Sequence, residues 1–210
     1  MSYLLHIDSS SAGASSISHK VARSFLGAWR GPVVYRDLAA APVPHIAGAG
    51  VAARYADPAD RNPEQAAAAA IQQELIDEFL GAGAYLFTVP MYNYSMPSAF
   101  KAWLDQLMVV GATIVPPAAA GRPALVISAR GGGYGPGAPN HGMDHVVPWL
   151  ETALGHPQLG LGLDLSILTP ELTHALTVPA FAELLPLHRA SMTDSHEQAR
   201  KLAETFQTAE

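Results

Sequence analysis

The chain has 210 residues, with 18 acidic side chains against 12 lysines and arginines, no cysteine, and 49% hydrophobic residues. This length favours one domain, and the lack of cysteine excludes thiolate nucleophiles, disulfides and cysteine-ligated metals. The formal net charge of −6 argues against a general nucleic-acid binder, which would present a basic face. No apolar stretch approaches the roughly 20 residues that span a bilayer, and the N-terminus lacks the basic region of a signal peptide. We therefore expect a cytoplasmic protein without a membrane or nucleic-acid partner.

Apolar runs and helical patterns alternate along the chain. The predicted strands cover residues 3–8, 33–36, 84–89, 124–128 and 163–168. The predicted helices cover residues 18–29, 63–81, a segment opened by Pro97, 143–154 and 193–207, with Thr193 or Asp194 as the last N-cap. A long excursion at 38–62 precedes a helix start at Asn62, Pro63 and Glu64. Because several strands are apolar on both faces, we expect an α/β protein whose parallel sheet is covered by helices on both sides.

Three loops rich in small and polar residues follow the first, third and fourth predicted strands. They are the first loop (9–18), the second loop (90–95) and the third loop (129–137). The carboxyl ends of parallel strands lie at one edge of a sheet, and ligands bind beyond them. The three loops are therefore expected to converge on one binding site.

The first loop carries Ser10, Ser16 and Ser18 directly ahead of a predicted helix N-terminus. Free backbone N–H groups and the helix dipole favour an anion there, and hydroxyl groups add donors. The chain has neither the G-x-G-x-x-G nor the G-x-x-x-x-G-K-[ST] pattern, which argues against a dinucleotide or a nucleoside triphosphate. A phosphate monoester fits better, although serine-rich loops also serve simply as caps and turns.

The second and third loops suit a flat ligand. Tyr92 and Tyr94 flank Asn93 and offer aromatic faces to a planar heterocycle. The glycines that follow Arg130 permit close backbone approach to a ligand. Packed tyrosines and a flexible turn are the simpler explanations of these two segments. Together with the first loop, however, they predict a ligand with one phosphate and one flat ring.

A longer motif covers the second loop and the helix after it. The run Pro90–Pro97 and the run Lys101–Asp105 match a P-M-Y-N-F pattern, a helix start and a K-x-[YW]-[FIL]-D pattern. With the first-loop serines and the Arg-Gly-Gly turn at 130–132, the chain resembles the FMN-dependent NADH:quinone oxidoreductase and azoreductase family over most of residues 1–155. The resemblance implies one flavodoxin-like domain over residues 1–210, with a five-stranded parallel sheet of order 2-1-3-4-5. It also implies a homodimer with a flavin site at each side of the shared interface.

The resemblance implies that each of the three loops contacts a different part of the FMN cofactor. The first loop would hold the phosphate, the second would line the ribityl chain and ring, and the third would contact the pyrimidine edge, where N–H groups stabilise negative charge. The implied FMN-binding residues are Ser10, Ser16, Ile17, Ser18, Met91, Tyr92, Asn93, Tyr94, Ala129, Arg130, Gly131 and Gly132. The family usually has Ser where Ala129 stands, so we expect FMN binding to be weaker by about 1 kcal/mol.

Three further residues are assigned to the substrate pocket. Arg54 matches a family arginine that reaches the partner's active site, Val115 begins a segment where many relatives carry aromatic residues, and Tyr134 is a candidate proton donor. Residues 170–190 look longer than in typical members, and they either cap the pocket or extend the dimer contact.

The function implied by the resemblance is two-electron reduction of a quinone or azo-type aromatic acceptor by NADH or NADPH through bound FMN. Hydride would pass through flavin N5 in a ping-pong sequence. Two alternatives remain open. One is a specialised tailoring reductase that acts on one metabolite with the same cofactor, and the other is a non-catalytic FMN electron carrier.

Nine histidines raise the question of a metal site. His141 and His145 are spaced to share a helix face, but no H-E-x-x-H pattern surrounds them, so we expect no metal and place one of them near the flavin rim. His6 is expected to be a core histidine with satisfied hydrogen bonds. Exposure is expected for the histidines at 156, 174, 188 and 196.

A Ser-His-Asp hydrolase is the competing enzyme class. The chain has no G-x-S-x-G pattern, and the first-loop serines have no identifiable base. We expect Asp8 to cap the end of the first strand, and Asp105 to face a helix surface or a dimer contact.

Overall fold

One parallel sheet of five strands organises the protein. The structure, a computed structural model, describes residues 3–208. The strands are β1 Tyr3–Asp8, β2 Val33–Asp37, β3 Ala82–Thr88, β4 Pro123–Ile127 and β5 Asp164–Leu168. All neighbours pair in parallel in the order β2-β1-β3-β4-β5, which confirms the predicted flavodoxin-like topology.

Helices cover both faces of the sheet. They are α1 Ile17–Ala28, α2 Gly48–Ala53, α3 Pro63–Gly81, α4 Ser98–Leu107, α5 Val147–Leu150 and α6 Leu185–Thr208. A π-helical turn at Glu151–Gly155 extends α5, and short 3-10 turns lie at Gly13–Ser15, Pro58–Asp60, Thr173–Leu176 and Pro179–Leu184. Within residues 3–208, no helix is both long and apolar enough to cross a membrane.

The alternation of strand side chains divides the core in two. On one face, Leu4 and Leu86 pack in a cluster with residues of α1 and α6 such as Phe25. On the other face, Tyr85 and Trp103 belong to a cluster shared with α3 and α4. Because both faces are covered, the strands are nearly continuous apolar runs, as parallel sheets require.

Helix α3 begins as its sequence predicts. The Asn62 side chain accepts a hydrogen bond from the N–H of Gln65, whose own side chain accepts one from the Asn62 N–H. This reciprocal capping box satisfies donors that the first helical turn would otherwise leave unpaired.

The last helix begins at Leu185, so the predicted start near Thr193 is wrong. Pro186 lies in the first turn, where its missing N–H removes no helical hydrogen bond. Thr193 and Ser195 donate their hydroxyl groups to the carbonyls of Arg189 and Ser191 one turn earlier. Thr193 is therefore an internal residue of a longer helix and not its cap.

The predicted helix over 143–154 begins later, at Val147, and its second half is a π-helical turn and not an α-helix. Asp144 Oδ1 accepts hydrogen bonds from the N–H groups of Val146 and Val147, so the carboxylate lies ahead of the helix as a cap. The α-helical part is Val147–Leu150 only. Helix α2, within the excursion at 38–62, was not predicted because its Ala- and Gly-rich sequence lacks a clear apolar stripe.

Several expectations about histidines are wrong. Of the four that were expected to be exposed, only His174 is, because His156 and His196 are partly buried and His188 is buried. His188 is 4% exposed and contacts the carbonyl of Glu171 through Nδ1, because α6 starts early enough to include it. His6 is 5% exposed, but its Nε2 has no hydrogen-bond partner. Its ring lies 5.0 Å from that of Tyr35 on the neighbouring strand. Burial lowers the pKa of His6 from 6.5 to about 4, although Asp8 acts in the opposite direction.

The neutral His6 should make folding stability depend on pH. In the unfolded chain His6 takes up a proton near pH 6.5, whereas in the folded chain it does so only near pH 4. The unfolded state is therefore favoured as pH falls through this window, and we expect the free energy of unfolding to drop by up to about 3 kcal/mol. Urea unfolding at several pH values will measure this. His6→Phe should remove most of the slope, while His141→Gln, at an exposed position, should retain it; an unchanged slope in His6→Phe would refute the assignment.

Candidate functional site

A cavity of about 330 Å³ lies beyond the carboxyl ends of β1, β3 and β4, and we call it the strand-end cavity. All three predicted loops contribute to its lining. A larger surface groove of about 690 Å³ runs along β5 and α5, but no predicted site residue lines it. The strand-end cavity is therefore the stronger candidate, because it alone joins the segments singled out by their chemistry.

The cavity brings together most of the predicted cofactor residues. The predicted residues in its lining are Ser10, Ser16, Ile17, Ser18, Met91, Tyr92, Ala129, Arg130 and Gly131. Asn93, Tyr94 and Gly132 lie in the same loops but outside the lining. The lining residues that were not predicted are Ala12, Ser15, Pro90, Thr173, His174, Leu176 and Thr177.

The first loop presents unpaired donors to the cavity. Ser10 Oγ donates to Ser16 Oγ at 2.9 Å, and Ser16 Oγ caps α1 by accepting from the N–H of His19 at 3.2 Å. Within the described residues, the N–H groups of Ile17 and Ser18 reach no acceptor. Two orphan donors at the positive end of a helix dipole form an arrangement that binds an anion.

The second loop is a tight turn in an uncommon backbone conformation. Asn93 and Tyr94 have φ values of 49° and 67°, and the backbones of Tyr92 and Ser95 exchange two hydrogen bonds across them. Asn tolerates this left-handed region, whereas it is uncommon for an aromatic residue and is found at functional sites. The hydroxyl of Tyr92 accepts from the N–H of Ser11 at 3.1 Å, which ties the second loop to the first.

The third loop supplies a second pair of unpaired donors. The N–H groups of Gly131 and Gly132 reach no acceptor within residues 3–208. A Cβ at Gly131 would lie 2.4 Å from the ring of His174, so a larger residue there would require the His174 side chain to move. The N–H of Ala129 donates to Ser18 Oγ at 3.3 Å, which joins this loop to α1.

Arg130 points into the protein and not into the cavity. Its side chain is 2% exposed, and Nη1 lies 2.5 Å from Asp144 Oδ2. Burial alone would raise the pKa of Asp144, but hydrogen bonds from Arg130 and from the N–H groups of Val147 and Val146 lower it overall. A buried cation needs such a partner, so the ion pair holds the third loop in place while its backbone faces the cavity.

A fourth element closes the site, and we call residues 170–177 the cap segment. Its Thr173 and His174 N–H groups donate to the carbonyls of Arg130 and Gly131 at 3.2 and 3.1 Å. Leu172 adopts a φ of 60°, which turns the chain back over the third loop. The structure thus places Thr173, His174, Leu176 and Thr177 in the cavity lining, which fits the alternative in which residues 170–190 cap the pocket.

The residues assigned to the substrate pocket lie outside the cavity lining. Arg54 Nη2 donates to the carbonyl of Asp105 at 2.5 Å and Nε donates to Gln72 Oε1 at 3.2 Å, which braces α2 against α3 and α4. Val115 is 50% exposed in the segment after α4. Tyr134 is half-buried, and its N–H donates to Glu171 Oε1 at 3.2 Å. Their roles in substrate binding stay predictions.

The remaining residues considered in the sequence analysis lie at the end of β1 or on the surface, outside the cavity lining. Asp8 accepts a hydrogen bond from the N–H of Ser10 at 3.0 Å, which confirms that it caps β1. Asp105 is paired with Lys101 on the surface of α4. His141 and His145 are exposed and do not line the cavity. Among residues 3–208, no group of three or more potential metal-binding side chains is clustered.

Residues 2–159 match the model of the family described as having the flavodoxin-like fold. The chain is 45% identical to an FMN-dependent NADH:quinone oxidoreductase of Streptomyces coelicolor over 206 residues, which is 95% of this chain and 92% of that protein. It is 44% identical to the protein of the same name from Streptomyces avermitilis over 218 residues, which is 98% of this chain and 99% of that protein. The crystal structure of an azoreductase from Bacillus anthracis str. Sterne superposes with a TM-score of 0.80 at 21% identity, covering 98% of this chain and 100% of that chain.

The fold and the strand-end cavity define a flavodoxin-like ligand-binding α/β protein. The likeness to the azoreductase supports the fold, and the two Streptomyces relatives extend it to a specific family. The chain belongs to the FMN-dependent NADH:quinone oxidoreductase family, which confirms the resemblance found in its sequence motifs.

Proposed function

We propose that this protein reduces quinones or azo-type aromatic compounds with NADH or NADPH, using FMN held in the strand-end cavity. One observation carries the proposal: residues with unpaired backbone N–H groups line the same cavity from two different loops, at Ile17 and Ser18 in the first loop and at Gly131 in the third. The first-loop groups suit a phosphate, and the third-loop group suits a ring that gains negative charge on reduction. The two Streptomyces relatives are named for FMN as the cofactor and NADH as the electron donor, which supports the proposal.

The first loop would hold the phosphate of FMN with hydroxyl and backbone N–H groups, because none of its residues that line the cavity is basic. Ser16 is the N-cap of α1, next to the orphan N–H groups of its first turn, and Ser10 is joined to it through a hydrogen bond between the two hydroxyl groups. Ser10, Ser16 and Ser18 are nearly or fully buried, so little water competes for them. Fixed donors in a drier site hold an anion at a low reorganisation cost.

The ring end would be positioned by backbone groups. When bound, FMN would supply the chemistry of hydride transfer at N5 between the reduced nicotinamide and the acceptor, in a ping-pong sequence, so the protein's own groups would bind and orient the cofactor. The N–H groups of Gly131 and Gly132 are oriented by the buried Arg130–Asp144 ion pair. Tyr92, fixed through its hydroxyl to the first loop, supplies an aromatic wall.

The proton for the reduced acceptor is best supplied by solvent. Burial raises the pKa of Tyr134, and the neighbouring Tyr94, Asp144 and Glu171 raise it further, with Arg130 opposing them. A phenol with a raised pKa is a weak acid, and Tyr134 does not line the cavity. We therefore assign Tyr134 to shaping the third loop, where its ring lies 5.5 Å from the Arg130 guanidinium carbon.

The central experiment follows the visible absorbance of the FMN-loaded protein under anaerobic conditions. We expect NADH to bleach the flavin and a quinone added afterwards to restore its colour, because reduction and reoxidation are separate half-reactions. A sample that receives the quinone without NADH serves as the control. Bleaching by dithionite but not by NADH or NADPH would favour the electron carrier, and failure to take up FMN would refute the proposed function.

His174 is the titratable side chain that the cap segment adds to the cavity. We expect His174→Ala to raise KM for the quinone about fivefold with little change in kcat, because one acceptor contact worth roughly 1 kcal/mol is lost. Steady-state kinetics will measure both constants. His45→Ala, at an exposed position away from the cavity, is the matched control. A fall in kcat at constant KM would instead place His174 in the chemical step.

A homodimer is part of the proposal, supported by exposed apolar residues near the Arg54 brace. Tyr55 is 88% exposed and Val110 is 71% exposed. Sedimentation equilibrium should give about twice the chain mass of 22.1 kDa. The double substitution of Tyr55 and Val110 by Ser should shift the protein towards monomer, because it removes apolar area from the contact. Leu159→Ser, at a position that is 66% exposed and elsewhere on the surface, should not. A monomeric wild-type protein would contradict the dimer.

A further inference from the structure

Four titratable side chains meet beneath the first loop, and we call them the β1 cluster. They are His6 and Asp8 on β1, His19 on α1 and Tyr35 on β2. They line a second cavity of about 250 Å³ that is separate from the strand-end cavity. The proposed function uses none of them, although two of them contact the first loop directly.

Asp8 is a buried carboxylate held from several sides. It is 1% exposed, and its Oδ1 accepts from Thr88 Oγ1 at 2.6 Å and from the N–H of Ser10 at 3.0 Å. Its Oδ2 accepts from the hydroxyl of Tyr35 at 2.8 Å. Burial would raise the pKa of Asp8, but the hydrogen bonds from these groups and from His19 lower it overall. Asp8 is therefore anionic and requires a cationic partner.

His19 is that partner, and both of its ring nitrogens face acceptors. Nε2 lies 2.5 Å from Asp8 Oδ2. The two atoms are close enough for an ion pair, although the angle between them is not that of a hydrogen bond. Nδ1 lies 3.1 Å from the carbonyl oxygen of Gly13. A carbonyl can only accept, and an ionised carboxylate can only accept. Both contacts are satisfied together only when the ring carries two protons and is an imidazolium.

The ion pair spans the first loop from its start to its end. Asp8 accepts from Ser10 at the start, and His19 holds the carbonyl of Gly13 in the middle of the loop. The N–H of His19 is bound by Ser16, whose hydroxyl group also accepts from Ser10. Loss of the ring proton would break one of the two His19 contacts. It would also leave the charge of Asp8 uncompensated beneath a loop that binds an anion.

We propose that the Asp8–His19 ion pair is a protonation-dependent positioning device, which keeps the first loop in its anion-binding shape only while His19 is an imidazolium. The inference rests on the proposed function, since the anion is taken to be the phosphate of FMN. His19 is 20% exposed through its side chain, so protons reach it without unfolding. His19 is a positioning residue, because it acts through the loop and not on the ring of the cofactor.

The other charged groups around His19 do not replace it in this role. His6 and Asp8 face it from β1, and His6 is neutral because burial lowers its pKa to about 4. Tyr35 and Asp37 lie on β2, and the Tyr35 hydroxyl keeps its proton because burial and Asp8 raise its pKa. Arg23 lines the same cavity from α1 and carries a guanidinium group there.

The test measures the Kd of the apoprotein for FMN and for riboflavin, by quenching of flavin fluorescence, between about pH 5 and about pH 9, a range that extends to both sides of the ordinary pKa of a histidine. For the wild type we expect the Kd for FMN to rise about tenfold as His19 loses its proton, because one charge-assisted contact and one charge beside the phosphate are lost. His19→Gln should bind FMN with the weaker affinity at every pH. Riboflavin lacks the phosphate, so its Kd should not follow this profile in either protein.

Two comparisons isolate the ion pair. The second ionisation of the phosphate occurs near pH 6 and affects every variant alike, so the ratio of Kd between His19→Gln and wild type removes it. Asp8→Asn should flatten the profile as His19→Gln does. Tyr35→Phe, which loses one hydrogen bond to Asp8 but keeps the pair, should retain the wild-type profile. If a variant does not fold by circular dichroism, the wild-type profiles still decide by their direction. The phosphate gains negative charge as pH rises, which by itself would lower the Kd for FMN at a helix N-terminus, whereas loss of the ion pair raises it.

The outcomes separate this inference from the proposed function. Parallel FMN profiles for wild type and His19→Gln, or a riboflavin profile that matches the FMN profile, would overturn the role of the ion pair while FMN binding stands. A wild-type protein that binds neither flavin at any pH would overturn the proposed function and the inference with it.

Discussion

The hydrogen-bond ladder of the sheet does not stop where the strands end, and the binding site depends on this continuation. Backbone bonds beyond the strand tips join each loop to its neighbour on the next strand. They connect Ser9 to Thr88, Val89 to Ile127, Met91 to Ala129, Ser128 to Leu168 and Arg130 to Pro170. Each bond removes freedom from segments that would otherwise be mobile loops. The donors that face the cavity are therefore oriented by the same interaction that orders the sheet.

Two buried charges hold these loops from behind. Asp8 is compensated by His19 under the first loop, and Arg130 is compensated by Asp144 behind the third. The carboxylates and cations of both pairs are mostly buried, and the side chains that line the cavity are chiefly serine and threonine hydroxyl groups, apolar groups and the rings of Tyr92 and His174. This division suits a cofactor that changes its own charge, because the protein stabilises it with fixed dipoles and keeps its ions in structural roles.

The cap segment completes the lining of the strand-end cavity. Residues 170–172 are anchored to α6 through Ser191 and His188, and the next residues bond to the third loop. The early start of α6 makes these anchors possible. The cap segment therefore lies over the cavity as an extension of the third loop, and it brings His174 to a place that no local pattern indicated.

Local sequence patterns determined the strands, the start of α3 and the three loops that line the strand-end cavity. These features depend on periodicity, capping and glycine content within a few residues, so they can be recognised without knowledge of the rest of the chain. The known family motif then assigned a cofactor to the loops, because Pro90–Pro97 is specific in a way that the serines of the first loop alone are not.

Only the tertiary structure decided which distant groups meet. The partners Asp8 and His19, Arg130 and Asp144, and Gly131 and His174 are brought together by strand order and helix packing, which no short window of sequence encodes. The same applies to the unpaired Nε2 of His6 and to the inward turn of Arg130. Burial and charge compensation arise from all neighbours at once, so they appear only when the whole fold is assembled.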